Sequence, residues 1–312
     1  VSYIMNNSEA KKYSADTIER VKKAAEELNY VPNNLARGVR NGKCLAIGIV
    51  SFWDIHNRVF IELLEGIMQK TFEMGYSAIL CKADDDFTYI DYYRHRRIDG
   101  VIFISPVPSE YIINENEHIE KMKQAQLPSI VINGSTEYKD TSYFYFDFEN
   151  ITYTATNYLI DRGHREIAYV GSYVNSKQAE SILRYKGYKK AMTEKGLEYK
   201  EYHIEDITPE ILREMKAIVA NKSETAKIIE EYALKNEISI PEDLSVIACN
   251  LEHYSEFLCP PLTCCHIRLK ETGALAAEFL INNLDGKKTI SVFTECGITE
   301  GKSVMDGKEL CF

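Results

Sequence analysis

No run of about 20 apolar residues occurs in this chain, and no short apolar stretch follows a basic leader, so neither a membrane span nor a secretory signal is expected. The eight cysteines (44, 81, 249, 259, 264, 265, 296 and 311) include no CxxC and no paired Cys/His spacing. Cys264 and Cys265 with His266 lack a second ligand pair, so no metal is expected. Several of these thiols lie inside apolar strand-like runs, where free Cys behaves as a small hydrophobe. A cytoplasmic, reducing location follows as the expectation. Positive charge is also short, with a net charge of −10, which argues against a nucleic-acid-binding surface over the whole chain. The chain opens on Val1 and not on Met, so loss of the original N-terminus is expected.

Signatures of catalysis are missing as well. No GxGxxG follows a strand, and there is no GxSxG elbow. "GVRNGKC" has three residues between its glycines where a phosphate loop has four, lacks Ser/Thr after Lys, and precedes a strand where such a loop follows one. The acids of "ADDD" (83–86) fall in a polar turn, and His164 lies just past a Gly at a helix end, where a turn role is expected. Binding without chemistry is the expectation: no enzyme, no catalytic residue and no cofactor.

What is present is a two-part organisation. At 312 residues the chain exceeds the roughly 100–200 residues of one domain, and 45% hydrophobic residues can fill sizeable cores. Residues 1–43 hold eight Lys/Arg against five Asp/Glu, whereas the remainder holds 29 against 42, so a small basic head precedes an acidic body. In the head, "VSYIMNN" puts Val1, Ile4 and Met5 on one helical face and Ser2, Tyr3 and Asn6 on the other. A second helix is capped by Ser14, has Asp16 at its positive end, and repeats Ile18, Val21, Ala25 and Leu28 at helical spacing.

After residue 43 near-continuous apolar strands alternate with helices. "CLAIGIVS", "YSAILCK", "DGVIFIS", "PSIVING" and "YFYFD" form one series. "EIAYVGS", "KAIVAN" and "DLSVIAC" form a second, which starts after a helix running from 148 to Arg162. Such alternation predicts two similar α/β lobes with parallel sheets covered on both faces. Ligands bind at the carboxyl ends of such strands, which directs attention to the loops after Val50, Lys82, Ser105, Ile132, Gly171, Ala220 and Cys249.

"VSYIMNN" resembles the recognition helix of the lactose/galactose-repressor (LacI/GalR) family of bacterial transcription regulators, and "SADTIERVKKAAEELNYVPNNLARG" its third helix and hinge. "RRIDGVIF", "LPSIVING", "DFENITYTATNYLIDRGHREIAYVGS", "RYKGYKKAMTEKGL", "IPEDLSVIACN" and "PPLTCCHI" follow in the family's order and spacing, along nearly the whole chain. The resemblance implies a partial helix-turn-helix headpiece (1–31), a hinge (32–43) and a core of two doubly wound parallel-sheet lobes like type I periplasmic binding proteins. The first lobe would take 44–147 plus 269–288 and the second 148–264 plus 292–300, with crossings near 147–149, 264–268 and 287–292.

Function and site residues are carried by the same resemblance. It implies a ligand-responsive regulator, a repressor acting as a homodimer on a near-palindromic operator, with a sugar or sugar phosphate as effector. The alternative is a sugar-binding transport protein of the same core, which would need neither headpiece nor hinge. Ser2, Tyr3 and Asn6 would face DNA, Tyr3 standing where relatives often carry Arg or His. The segment around Asn33 and Arg37 would fold against the minor groove, with Val39 as the apolar wedge where the family usually has Leu. Gly38 beside it costs roughly 1 kcal/mol in a helix relative to Ala, predicting a weaker hinge, and a plain flexible linker is the rival account. Without the residues before Val1 the headpiece is expected to bind DNA poorly.

In the cleft, Arg184 matches the effector-binding Arg of R-x-x-G-Y, whose fork suits hydroxyls or a carboxylate. Asn221 matches the Asn of an Asn-Asp pair whose Asp is Lys222 here. Asn133 and Asn250 stand where many relatives have Asp, so the pocket is expected to lose negative charge and to accommodate an anionic effector, a neutral sugar remaining open. Trp53 and Phe60 are candidates for an aromatic face under a sugar ring, with core packing an equal account of Phe60.

Overall fold

The structure is a computed structural model that describes residues 4, 13–28, 42–52, 56–83, 86–105, 115–134, 138–171, 179–250 and 254–306. Helix α1 (Ala15–Glu27) starts at Ser14, whose Oγ accepts from the Thr17 amide at 3.3 Å. Of its apolar stripe only Ala25 is buried, while Leu28 is 79% exposed.

The chain then builds two six-stranded sheets of the same plan. The first holds β1 (Ala46–Ser51), β2 (Ser77–Lys82), β3 (Gly100–Ile104), β4 (Ser129–Ile132), β5 (Ser142–Tyr145) and the late strand β11 (Ser291–Phe293), in the order β11-β5-β4-β3-β1-β2. The second holds β6 (Ile167–Gly171), β7 (Lys200–His203), β8 (Ala217–Ala220), β9 (Ser245–Cys249), β10 (Thr263–Ile267) and β12 (Cys296–Thr299), in the order β12-β10-β9-β8-β6-β7. All pairings are parallel except β10 with β12. β1, β3, β6, β8 and β9 are buried along their whole length, as strands covered on both faces must be.

Helices α2 (Arg58–Glu73), α3 (Thr88–Arg94) and α4 (Glu115–Gln124) follow β1, β2 and β3; α5 (Phe148–Asp161) opens the second lobe, followed by α6 (Ala179–Glu194), α7 (Pro209–Glu214) and α8 (Ser223–Lys235). The last helix, α9 (Leu269–Asn282), returns to the first lobe and packs on α2, as α5 packs on α6. These two pairs meet at glycines. A β-carbon on Gly66 of α2 would overlap the Lys270 carbonyl of α9, and one on Gly187 of α6 would overlap the Glu149 carbonyl of α5. One apolar cluster, including Phe60, Leu63 and Ala276 from the first lobe and Tyr169, Tyr188 and Ile267 from the second, spans the inner helix layers.

Three segments join the lobes: 146–147 between β5 and α5, Arg268 between β10 and α9, and 294–295 between β11 and β12. The last lies later than the 287–292 expected from sequence, because Ser291–Phe293 pairs in parallel with β5 of the first sheet. Likewise 265–267 belongs to β10 of the second sheet, beyond the expected boundary at 264. Among the described residues no helix is long and apolar enough to cross a membrane. Cys81, Cys249, Cys264 and Cys265 are buried free thiols. His164 is buried in a turn, with Nε2 on the Met305 carbonyl at 3.0 Å.

Two outcomes follow from this packing. Gly66→Ala should lower stability by about 1–3 kcal/mol in urea denaturation, since α2 and α9 must separate to admit the methyl group; an unchanged midpoint would mean that the pair tolerates separation. Glu230, buried on α8 with Oε1 lacking a partner, has its carboxyl raised by burial from its ordinary 4.5 to about 7. The folded state then holds a proton that the unfolded state releases, so this group's contribution to stability falls as pH rises from about 4.5 through 7. Glu230→Gln should flatten that part of the Tm profile between pH 5 and 8; parallel profiles would show that the carboxyl is ionised in the fold.

Candidate functional site

In each lobe the strand order reverses beside the first strand, at β1/β3 and at β6/β8, the switch point where doubly wound sheets leave a crevice at their carboxyl ends. Between the facing ends lies a cavity of about 170 Å³, small against the roughly 300–1,000 Å³ of pockets for drug-sized ligands. Arg58, Val59 and Glu62 of α2 close it from the first lobe. Glu180 and Arg184 of α6, Lys222, Asn250 and His266 close it from the second, with Phe146, Phe148, Ile267 and Leu269 at the crossings. Broader depressions elsewhere, such as one of about 500 Å³ near Tyr93, Lys123 and Asp285, are open and surface-lying.

Arg184 is the centre of the cleft. It is 1% exposed, and so large a desolvation is tolerable only with partners on its fork. Nε donates to Glu180 Oε1 at 3.0 Å, Nη1 to the Cys249 carbonyl at 3.3 Å, and Nη2 to Asn250 Oδ1 at 3.0 Å. The guanidinium also lies over the Phe148 ring, 4.9 Å from its centroid. Each Nη carries a second hydrogen that has no hydrogen-bond partner among the described residues. Glu180 sits one helical turn before Arg184, and Lys222 Nζ lies 3.8 Å from the same carboxylate.

Asn250 is held in a conformation that side-chain-bearing residues rarely adopt, with φ at +134°. Three contacts impose it: its N–H donates to the Cys265 carbonyl at 2.9 Å, its carbonyl accepts from Ser223 Oγ at 2.6 Å, and its Oδ1 accepts from Arg184. Strain so over-determined is found where a side chain must be aimed.

On the first-lobe side Arg58 is the initial residue of α2, whose cap is Asn57 Oδ1 on the Phe60 amide at 3.1 Å. Arg58 Nε donates to Glu62 Oε1 at 2.6 Å. His266 is engaged at both ring nitrogens, at 3.2 Å from the Ile267 carbonyl and 3.1 Å from Thr299 Oγ1.

The structure brings Arg184 and Asn250 together, and separates them from the other residues singled out by sequence. Phe60 is 1% exposed within the apolar cluster and supplies core packing, not a ring face. Asn221 is buried, its Oδ1 accepting from Thr225 Oγ1 at 2.7 Å in the first turn of α8. Asn133 is buried at the end of β4 with φ at +59°, its N–H on the Phe144 carbonyl, and does not line the cavity. Trp53, with Ser2, Tyr3, Asn6, Asn33, Arg37 and Val39, lies outside the described residues. The aromatic wall of the cavity comes instead from Phe146 and Phe148, whose rings meet edge-on at 6.0 Å.

Two carboxylates not singled out from sequence, Glu62 and Glu180, also line the cavity. Neither drew attention in the sequence. Glu180 carried one legible signal, its i, i+4 spacing to Arg184 on the same helix.

Residues 156–304 match the family of periplasmic binding protein-like domains. Over 305 residues the chain is 27% identical to the HTH-type transcriptional repressor PurR of Vibrio atlanticus, a match covering 92% of this chain and 88% of that protein. In fold it resembles a regulatory protein of the LacI family from Chloroflexus aggregans, with a TM-score of 0.67 at 20% identity over 83% of this chain and 98% of that one. It also resembles the transcriptional regulator CelR in complex with cellobiose, with a TM-score of 0.63 at 19% identity over 97% and 94% of the two chains. The solved structures speak for the two-lobed fold, and the repressor sequences that match nearly end to end, together with the ordered motifs along the chain, make its relatives regulators of the LacI/GalR family.

Proposed function

We propose that this protein is a ligand-responsive transcription regulator, a repressor whose effector is a sugar or sugar derivative bound in the cleft between the lobes. The observation that carries the effector site is Arg184: a fully buried guanidinium, fixed by Glu180, Cys249 and Asn250, with hydrogens left over in a small cavity that both lobes line. The Phe146 and Phe148 rings beside it offer the apolar face that a sugar ring needs. The bound cellobiose of the CelR structure supports a carbohydrate class by analogy.

In this reading residues 1–31 are the headpiece and 32–43 the hinge, with Ser2, Tyr3 and Asn6 on the operator and Asn33, Arg37 and Val39 at the minor groove. The partner is a near-palindromic operator bound by a homodimer in the cytoplasm, and no reaction is catalysed. A first-lobe dimer face is supported by Ile61, Met68 and Phe72 of α2, Leu80 of the edge strand β2 and Leu275 of α9, apolar side chains that are 41–83% exposed.

Effector binding alters DNA affinity only by its differential affinity for two lobe arrangements. The crossings are built for such a change. The Asp147 N–H donates to Thr294 Oγ1 at 3.3 Å, and the Arg268 N–H to the Glu295 carbonyl at 3.0 Å, so the three segments flex as one bundle.

A thermal-shift screen of sugars and sugar derivatives, followed by calorimetry, tests the site. Arg184→Lys keeps the charge but loses the planar fork, and should weaken the best-binding compound at least tenfold; affinity equal to wild type would remove Arg184 from the site. Arg184→Ala should also cost about 3–5 kcal/mol of stability without ligand, because Glu180 is left buried with only Lys222 nearby. Light scattering should give a dimer at micromolar concentration that Phe72→Glu disrupts, and a wild-type monomer would sink the dimer reading.

A further inference from the structure

Arg58 presents an unanswered charge. Its Nε is held by Glu62, yet its Nη1 is wholly buried and has no hydrogen-bond partner among the described residues. The side chain as a whole is 15% exposed and lines the interlobe cavity. Buried donors on a cation are the most costly to leave unpaired, and an orphan of this kind marks the place of a missing acceptor.

The surroundings say which acceptor. Across the cavity stand Arg184 and Lys222 of the second lobe, so the lining carries three cations against the carboxylates of Glu62 and Glu180. Lys222 is the N-cap of α8 and gives that helix no side-chain cap, and Arg58 begins α2; both helices therefore bring positive ends to the cleft. Asn250, where an aspartate would cancel Arg184, contributes an amide instead. Hydroxyl oxygens can accept from one such donor, but a cavity with a net positive lining, two helix N-termini and an unpaired guanidinium nitrogen matches an oxyanion.

We infer that the effector carries an oxyanion, a phosphate or a carboxylate, which Arg58 of the first lobe binds together with the Arg184–Asn250–Lys222 side of the second, so that the anionic group ties the lobes together. This rests on the cleft being the effector site. It makes Arg58 a specificity-determining residue, because charge-assisted hydrogen bonds from a buried fork discriminate strongly against a ligand lacking the acceptor.

The test is calorimetry on the full chain with inorganic phosphate and with a panel of neutral hexoses and pentoses, their phosphates and the matching sugar acids. The phosphates and the acids distinguish the two sources of oxyanion. The tightest binder should be anionic, inorganic phosphate should compete with it, and Arg58→Gln should weaken it at least tenfold while changing neutral sugars less than threefold. Asn250→Asp should weaken the same anion and spare neutral sugars. Unchanged thermal melting of Arg58→Gln without ligand would show that the variant folds.

A neutral sugar bound more tightly than its phosphate and acid, with sensitivity to Arg184→Lys but not to Arg58→Gln, would overturn the inference and leave the cleft as the site; the orphan nitrogen would then belong to water. Binding indifferent to both arginines, or no binding by any member of the panel or by phosphate, would overturn the inference together with the site itself.

Discussion

The hydrogen bonds that lash the three crossings together are the constraint on which the rest of the molecule turns. Asp147 N–H to Thr294 Oγ1 joins the first crossing to the third, and Arg268 N–H to the Glu295 carbonyl joins the second to the third. Thr294 also donates its own N–H to the Tyr145 carbonyl at 2.9 Å, so the third crossing stays anchored to the first sheet while it braces the other two. Asp147 serves twice, its backbone in this bundle and its Oδ1 as cap of α5 at 2.9 Å from the Asn150 amide. The lobes are therefore not free bodies on a tether. They share one short set of mutually bonded crossings. An effector that bound both lobes, as proposed above, would act across these crossings. Moving such an equilibrium from 1:99 to 99:1 needs roughly a 10⁴-fold preference for one arrangement, which a few charge-assisted bonds across the cleft can supply.

The second lobe pre-pays for its half of that grip. Burying a guanidinium costs several kcal/mol, of which the bond to Glu180 and the two oxygens at 249 and 250 recover a part. The same contacts lock Arg184 in place before anything binds, and they hold Asn250 at its unfavourable φ. The first lobe is less complete. Arg58 has one of its nitrogens satisfied and another buried without an acceptor among the described residues. The two walls therefore differ: the second-lobe side is internally bonded, while the first-lobe side keeps a donor without a partner among the described residues.

Local pattern made the fold legible wherever burial was two-sided. The text around β1, β3, β6, β8 and β9 is continuously apolar because helices cover both faces, and no other element class reads that way. The edge strands were harder. β7 (Lys200–His203) is half exposed and polar, β11 lies in a stretch whose neighbours suggest a linker, and only pairing with β5 reveals it as a strand of the first sheet. In the site, Arg184 and Asn250 could be picked out because one opens and the other closes a recognisable phrase. Phe60 could not be told from core by sequence, since one aromatic on an amphipathic helix fits either role. Arg58 and Glu62 were invisible for a related reason: a polar i, i+4 pair at a helix start looks like a solvated face until the other lobe covers it.

The chain enters the first lobe through a clamp built on Asp99. Both oxygens of Asp99 are committed there, accepting from the Cys44 amide at 3.0 Å and the Leu45 amide at 2.8 Å. Leu45 adopts φ of +57°, a conformation a leucine holds only when its surroundings insist. The Asp99 N–H in turn donates to the Ala46 carbonyl at 2.7 Å, so residues 44–46 are clamped to the loop ahead of β3. Nothing in this clamp yields easily, because breaking it would leave carboxylate oxygens and amides unpaired at a half-buried site. Residues 44–46 are therefore a fixed entry to the first lobe. A rotation of the first lobe would carry residues 44–46 with it as one body, because Asp99 bonds them through both its carboxylate and its N–H.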